Sequence, residues 1–157
     1  MILSFLAVSA GIALIILTLW DAFETVILPR SVVRLLRLSR TINAVVWPAW
    51  RAGAARARTE ARRERYRSFY GPMSIILMLA IWAAALLFGF ALVAYGTGSR
   101  WTMEGGRRPT FVDDIYVSGT TLFTLGLGDV TPAARVSRVL LVTEAGIGLG
   151  FLTVGIA

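Results

Sequence analysis

Long apolar runs set the pattern of this chain. Ile2 to Trp20 and Pro72 to Gly98 contain no charged residue, and Val139 to Ala157 contains only Glu144. A bilayer hydrocarbon core about 30 Å thick needs roughly 20 apolar residues in a crossing helix, so each run is read as a transmembrane helix. The first run also has the position of a signal peptide. It lacks a basic start, however, and exceeds the roughly 7 to 15 apolar residues of such a signal, so it is expected to remain as a helix. The fold class this predicts is an all-α membrane protein with three transmembrane helices.

Between the first two runs the polarity reverses. Residues 30–67 hold eleven arginines against Glu60 and Glu64, whereas residues 97–135 balance four arginines with four acids. Cytoplasmic loops carry the positive excess, which predicts an outside N-terminus, a cytoplasmic or interfacial linker over 29–69, an outer loop beyond the second helix and a cytoplasmic C-terminal end. Arg34, Arg37 and Arg40 recur between Val33, Leu36, Leu38, Ile42 and Val45, an amphipathic pattern suited to a membrane surface. Trp47 and Trp50 flank Pro48 at an expected break, and a second linker helix is expected over about 52–69. Arg34, Arg37, Arg40, Arg62 and Arg63 are the candidate lipid-facing residues, each worth about 1 kcal/mol near an anionic leaflet. The competing reading is a solvated connector whose charges only set orientation, and no nucleic-acid partner is expected. Asp21 and Glu24 lie three apart on one helix face. Carboxylates are costly there, so both are expected to pair with linker arginines.

Composition narrows the chemistry. At 157 residues the chain is 57% hydrophobic, above the range of soluble domains. All sixteen basic residues are arginine, and neither cysteine nor histidine occurs. That removes disulfides, thiolate metal sites and the commonest acid–base group, so neither an enzymatic activity nor a cofactor is expected.

The region before the last run is different again. Thr97 to Arg108 is rich in glycine and polar residues and reads as an exposed loop. Thr110 then offers an N-cap, with Asp113 and Asp114 in the first turn of a helix reaching Phe123. About 13 residues span only about 20 Å, so this helix enters the membrane without crossing it. It delivers Thr124-Leu125-Gly126-Leu127-Gly128-Asp129. Alternating glycines admit backbone conformations that turn successive carbonyls towards one axis, and a ring of such carbonyls can replace the water shell of a cation. The candidate ion ligands are Thr124, through its hydroxyl, and the backbone of Leu125, Gly126, Leu127 and Gly128. Non-helical backbone at membrane depth is tolerated where it lines a water-filled path or is buried in protein.

Pro109 to Ser118, the motif that follows and Val130-Thr131-Pro132 strongly resemble the pore region of tetrameric potassium channels, including bacterial two-helix pores and two-pore-domain channels. Arg138 and Ala145-Gly146-Ile147-Gly148 fall where that family's inner helix has a basic residue and a hinge glycine, so Gly146 and Gly148 are the gating-hinge candidates. Taken whole, the resemblance runs from about Tyr70 onwards: outer helix 71–96, outer loop 97–109, pore helix 110–123, filter 124–129 and inner helix 135–157. Ahead of this pore domain stands an extra N-terminal helix, 1–28.

The resemblance implies a passive potassium-selective channel in a bacterial cell membrane. Potassium is its cargo, held at Thr124, Leu125, Gly126 and Leu127, with Thr121, Phe123, Asp129 and Glu144 supporting the filter. One chain carries one filter strand, so the expected active unit is a homotetramer. Phe123 departs from the family's frequent threonine and Leu127 from its usual tyrosine, whose ring braces the filter. A weakly selective cation channel is therefore the alternative, with a non-conducting membrane anchor or assembly subunit behind it. Glu144 has two candidate placements, lining the cavity or bonding the pore helix around Ser118 to Thr121. No voltage sensor is expected, since no membrane helix is arginine-rich. The last helix stops at Ala157 without a basic flank, so the chain is expected to continue beyond it.

Overall fold

A computed structural model describes residues 1–26 and 68–156, with 47, 48, 50–52, 59, 60 and 64 between them. Arg34, Arg37, Arg40, Arg62 and Arg63 lie outside the described residues, as does most of each linker helix expected around them. The main helices are α1 (Ile2–Val26), α2 (Tyr70–Gly96), α3 (Phe111–Leu122) and α4 (Arg135–Ile156), with two short strands, β1 (Trp101–Thr102) and β2 (Thr131–Pro132). Ile2–Thr25 and Tyr70–Gly96 are long and apolar enough to cross a bilayer. With 22 residues α4 has the length, but Glu144 and its glycines make it less apolar than the other two. The 12 residues of α3 cover about 18 Å, the half-length element expected from the sequence.

Two compact units divide the chain, Met1–Leu19 with Ala83–Ala157, and Trp20–Trp82. In the first unit, the start of α1 lies against the end of α2 at near backbone contact. A Cβ on Gly11 would stand 2.6 Å from the Gly89 carbonyl oxygen, and one on Gly96 would stand 2.7 Å from the Ser4 carbonyl oxygen. Small residues permit this approach, which is how membrane helices gain packing without a hydrophobic driving force. Two apolar clusters then enclose α3. Leu122 packs with Ala83 and Leu86 of α2, joined by Ile15, Ile147 and Phe151. Val117 packs with Ala94, Trp101 and Met103, joined by Val130, Leu140 and Leu141.

The outer segment departs from the expected exposed loop. Trp101 and Met103 are buried, and β1 pairs antiparallel with β2, Trp101 opposite Pro132 and Thr102 opposite Thr131. The cause is local chemistry. Gly98, at φ 96°, closes α2 in a Schellman turn, the Ser99 N–H donating to the Ala94 carbonyl at 2.9 Å and Gly98 N–H to Tyr95 at 3.0 Å. That reversal sends Trp101 back over the end of the bundle.

In the second unit, Asp21 and Glu24 are buried, but their partners among the described residues are indoles. Trp82 Nε1 donates to Asp21 Oδ2 at 2.8 Å, and Trp20 Nε1 donates to Glu24 Oε1 at 2.9 Å. Apart from Arg51, the linker arginines expected to pair with them lie outside the described residues; a tryptophan 61 positions away in sequence supplies a hydrogen bond to Asp21. Trp47 and Trp50 stand over Tyr70, with ring centroids 4.6 Å and 6.1 Å away.

Candidate functional site

The half-length helix is anchored at its N-terminus by two acids with separate tasks. The Asp113 carboxylate accepts from the Thr110 backbone N–H and hydroxyl, both at 2.8 Å, and from Arg107 in a two-pronged bond of 2.6 and 2.8 Å. The guanidinium, with the Thr110 bonds behind it, holds the Asp113 carboxyl well below the usual carboxylate range, against a smaller opposing effect of desolvation. Asp114 is fully buried and accepts from Trp101 Nε1 and Ser99 Oγ, both at 2.7 Å. Burial pushes its carboxyl up, and the two bonds pull the other way.

At its other end the helix stops in the same kind of turn that closes α2. The Leu125 N–H donates to the Thr120 carbonyl at 2.8 Å and the Thr124 N–H to Thr121 at 3.0 Å, the paired bonds of a Schellman motif. The left-handed position is filled here by Thr124, at φ 58°, where α2 has glycine. A side chain in that region costs about 1–2 kcal/mol, and a β-branched one is a genuine outlier. Such strain persists where the surroundings enforce it, commonly at functional sites.

Beyond the turn the left-handed conformation recurs at every second residue: Thr124 (58°), Gly126 (53°) and Gly128 (79°). Leu125 and Leu127 fall between them, each 63% exposed in the single chain. An alternation of this kind is what brings successive peptide units into register along one side of a strand. Tyr116 Oη donates to Asp129 Oδ2 at 2.8 Å, tying the far end of the segment back to the middle of α3.

The inner helix α4 packs against α3, which carries the segment. A Cβ on Gly148 would collide with the Leu122 carbonyl at the end of α3, whereas one on Gly146 would meet nothing within 4 Å. Glu144 is 2% exposed. Of its two candidate placements, the structure has the one against α3: the Ser118 hydroxyl lies between the Leu87 carbonyl of α2, at 2.9 Å, and the Glu144 carboxyl. One hydroxyl thereby joins three helices.

The structure thus has Thr121, Phe123 and Thr124 to Asp129 in one continuous stretch from the end of α3, with Glu144 and Gly148 against α3 and Gly146 open in the single chain. Sequence reasoning missed Tyr116 and Trp101. Tyr116 stands 13 residues before Asp129, a separation that only the re-entrant return makes close. Trp101 was hidden in a glycine-rich stretch, where a lone indole followed by Met103 was the available signal.

A half-length helix that ends in a strained turn and hands the chain to an alternating-φ segment between two longer helices is the arrangement of a membrane pore loop. Residues 75–157 match the ion channel family, and the chain belongs to it. Relatives share part of the chain. It is 28% identical over 118 residues to "uncharacterized membrane protein YdjJ" of Bacillus subtilis (strain 168), covering 74% of this chain and 33% of that one. It is 35% identical over 80 residues to "protein LctB" of Geobacillus stearothermophilus, covering 45% of this chain and 59% of that one. The matched segments therefore span about a third and about three fifths of these relatives. No solved structure matches the chain significantly.

Proposed function

We propose that four copies of this chain form a potassium-selective channel in which Thr124 to Gly128 of each copy contribute carbonyl and hydroxyl oxygens to a common axis. The observation that carries this reading is the run of left-handed residues at Thr124, Gly126 and Gly128, hung from a helix too short to cross the membrane. One strand cannot surround an ion, and Leu125 and Leu127 are exposed in the single chain; both facts favour a ring of copies. The C-terminal end of each α3, with its partial negative charge, then faces the cavity and favours a cation there. Ions pass by exchange among closely spaced sites, bound firmly enough to enter and loosely enough to leave.

Charge distribution supports an outside N-terminus and an outward-opening filter, with the linker arginines against the anionic inner leaflet of a cell membrane. The second reading is a weakly selective cation pore, favoured by Leu127, which has no hydrogen-bonding group to fix the outer half of the filter. Purified protein in liposomes under opposed potassium and sodium gradients separates the two. Reversal close to the potassium equilibrium value is expected, with Thr124→Ala and Gly126→Ala altering the current while insertion stays intact. Reversal near zero supports the weakly selective pore, and a current unaltered by either substitution removes the filter assignment.

A further inference from the structure

The chain lacks the aromatic residue within the filter that would brace its outer half, and the structure holds a different aromatic at the outer mouth. Trp101 is 7% exposed, and it meets the pore loop at both ends. Its indole N–H donates to Asp114 in the first turn of α3, at 2.7 Å. Its backbone stands opposite Pro132, three residues past Asp129, in the β1–β2 pair, while its own N–H donates to the Ser99 carbonyl at 2.9 Å. The neighbouring Arg100 carbonyl accepts from the Ala133 N–H at 3.0 Å and from Ser137 Oγ at 3.1 Å, extending the link to the start of α4. Trp101 belongs to one apolar cluster with Val117 of α3, and Val130 beyond the filter and Leu140 and Leu141 of α4 pack against that cluster.

We propose that Trp101 is a positioning residue for the filter: its indole fixes β1 to Asp114 at the entry of the pore loop, and β1, opposite β2 and bonded through Arg100 to Ala133, holds the exit, so that the two are kept at a fixed separation, the task for which Leu127 carries no suitable group. The geometry gives the reason. The loop between Leu122 and Thr131 is non-helical and held at its inner end by the turn at Thr124. Its outer end is held by the Tyr116–Asp129 bond and by β2. The strand β2 is two residues long, paired with β1 and close to the start of α4, so whatever fixes β1 bears on its position. A buried indole bonded to a fully buried carboxylate is the firmest such anchor on β1. Ser99, also bonded to Asp114, holds the preceding turn.

The proposal rests on the filter reading above, and the test keeps the two apart. Trp101→Phe retains the ring and removes the N–H. In the liposome assay, wild type is expected to reverse near the potassium value, and W101F to assemble in wild-type yield with a potassium-over-sodium permeability ratio lowered about tenfold. Hydrogen exchange over residues 124–132 is expected to quicken in W101F while exchange in α1 and α2 stays unchanged. A W101F channel with wild-type ratio and wild-type exchange overturns the proposal. If wild type itself does not discriminate, the potassium reading falls, and exchange alone judges the clamp: local quickening upholds it and unchanged exchange overturns it. Should W101F fail to assemble, Asp114→Asn, which keeps the shape of the side chain, takes its place with the same readouts. Failure of both to assemble assigns the pair to folding alone and overturns the positioning role.

Discussion

Gly148 illustrates what one missing methyl group does. A Cβ there would drive into the carbonyl of Leu122, a backbone atom that ends α3 and cannot rotate aside. Overpacking of a tight contact costs about 1–3 kcal/mol, so Gly148→Ala is expected to lower the thermal stability of the assembled protein by that order. Gly146→Ala, where an added Cβ meets nothing within 4 Å in the single chain, is expected to lower the melting temperature less than Gly148→Ala and, as a better helix former, to alter opening if the helix bends there. Equal melting temperatures for the two variants would remove this distinction. The sequence offered both glycines as hinges on the same footing. Spacing places a glycine on a helix, but which face meets a neighbour depends on packing. The same limit explains Glu144: its two placements differ only in helix rotation, and the contact with Ser118 becomes visible once α3 is in place.

At the scale of elements, what could be read in advance was length and punctuation. Thr110, Asp113 and the alternating Gly126 and Gly128 marked the ends of α3 because capping and φ preferences are local properties of the chain. The β1–β2 pair was not legible, since two residues on each strand carry no alternation that a sequence could reveal. The outer loop also carries a pH signature. Arg107 holds the Asp113 carboxyl low, so the stabilisation from that pair is complete above the ordinary aspartate value of about 3.9. It is lost only as pH falls from there through the depressed folded value. The expected melting curve contribution is therefore flat from pH 8 to about 5 and declines below about 4. In Arg107→Gln the Asp113 carboxyl returns towards its ordinary value, and the acid-side decline becomes shallower. Parallel declines in wild type and variant, followed by thermal melts across that range, would show that another group sets the acid limit.

For the whole molecule, the filter reading has a thermodynamic consequence that does not depend on measuring a current. Oxygen ligands contributed by four chains exist only in the assembled state, so an ion that occupies them stabilises assembly by mass action. One site filled at a hundred times its dissociation constant adds about 2.7 kcal/mol. Replacing potassium by sodium at constant ionic strength is then expected to lower the temperature at which tetramers dissociate, because the smaller ion is less well served by carbonyls set for the larger one. Thr124→Ala, which removes one hydroxyl ligand per chain, is expected to narrow the gap between the two salts while leaving the sodium value nearly unchanged. The strain at Thr124 sharpens this expectation. Its cost of about 1–2 kcal/mol is carried by every chain with or without an ion, and alanine at the same φ is still strained, so relief of backbone strain does not mimic the loss of a ligand. Equal dissociation temperatures in the two salts would point to a pore that accepts both ions alike, in keeping with Leu127 at the outer half. A temperature that ignores both salts and the Thr124 substitution would mean that no ion is held between the chains at all.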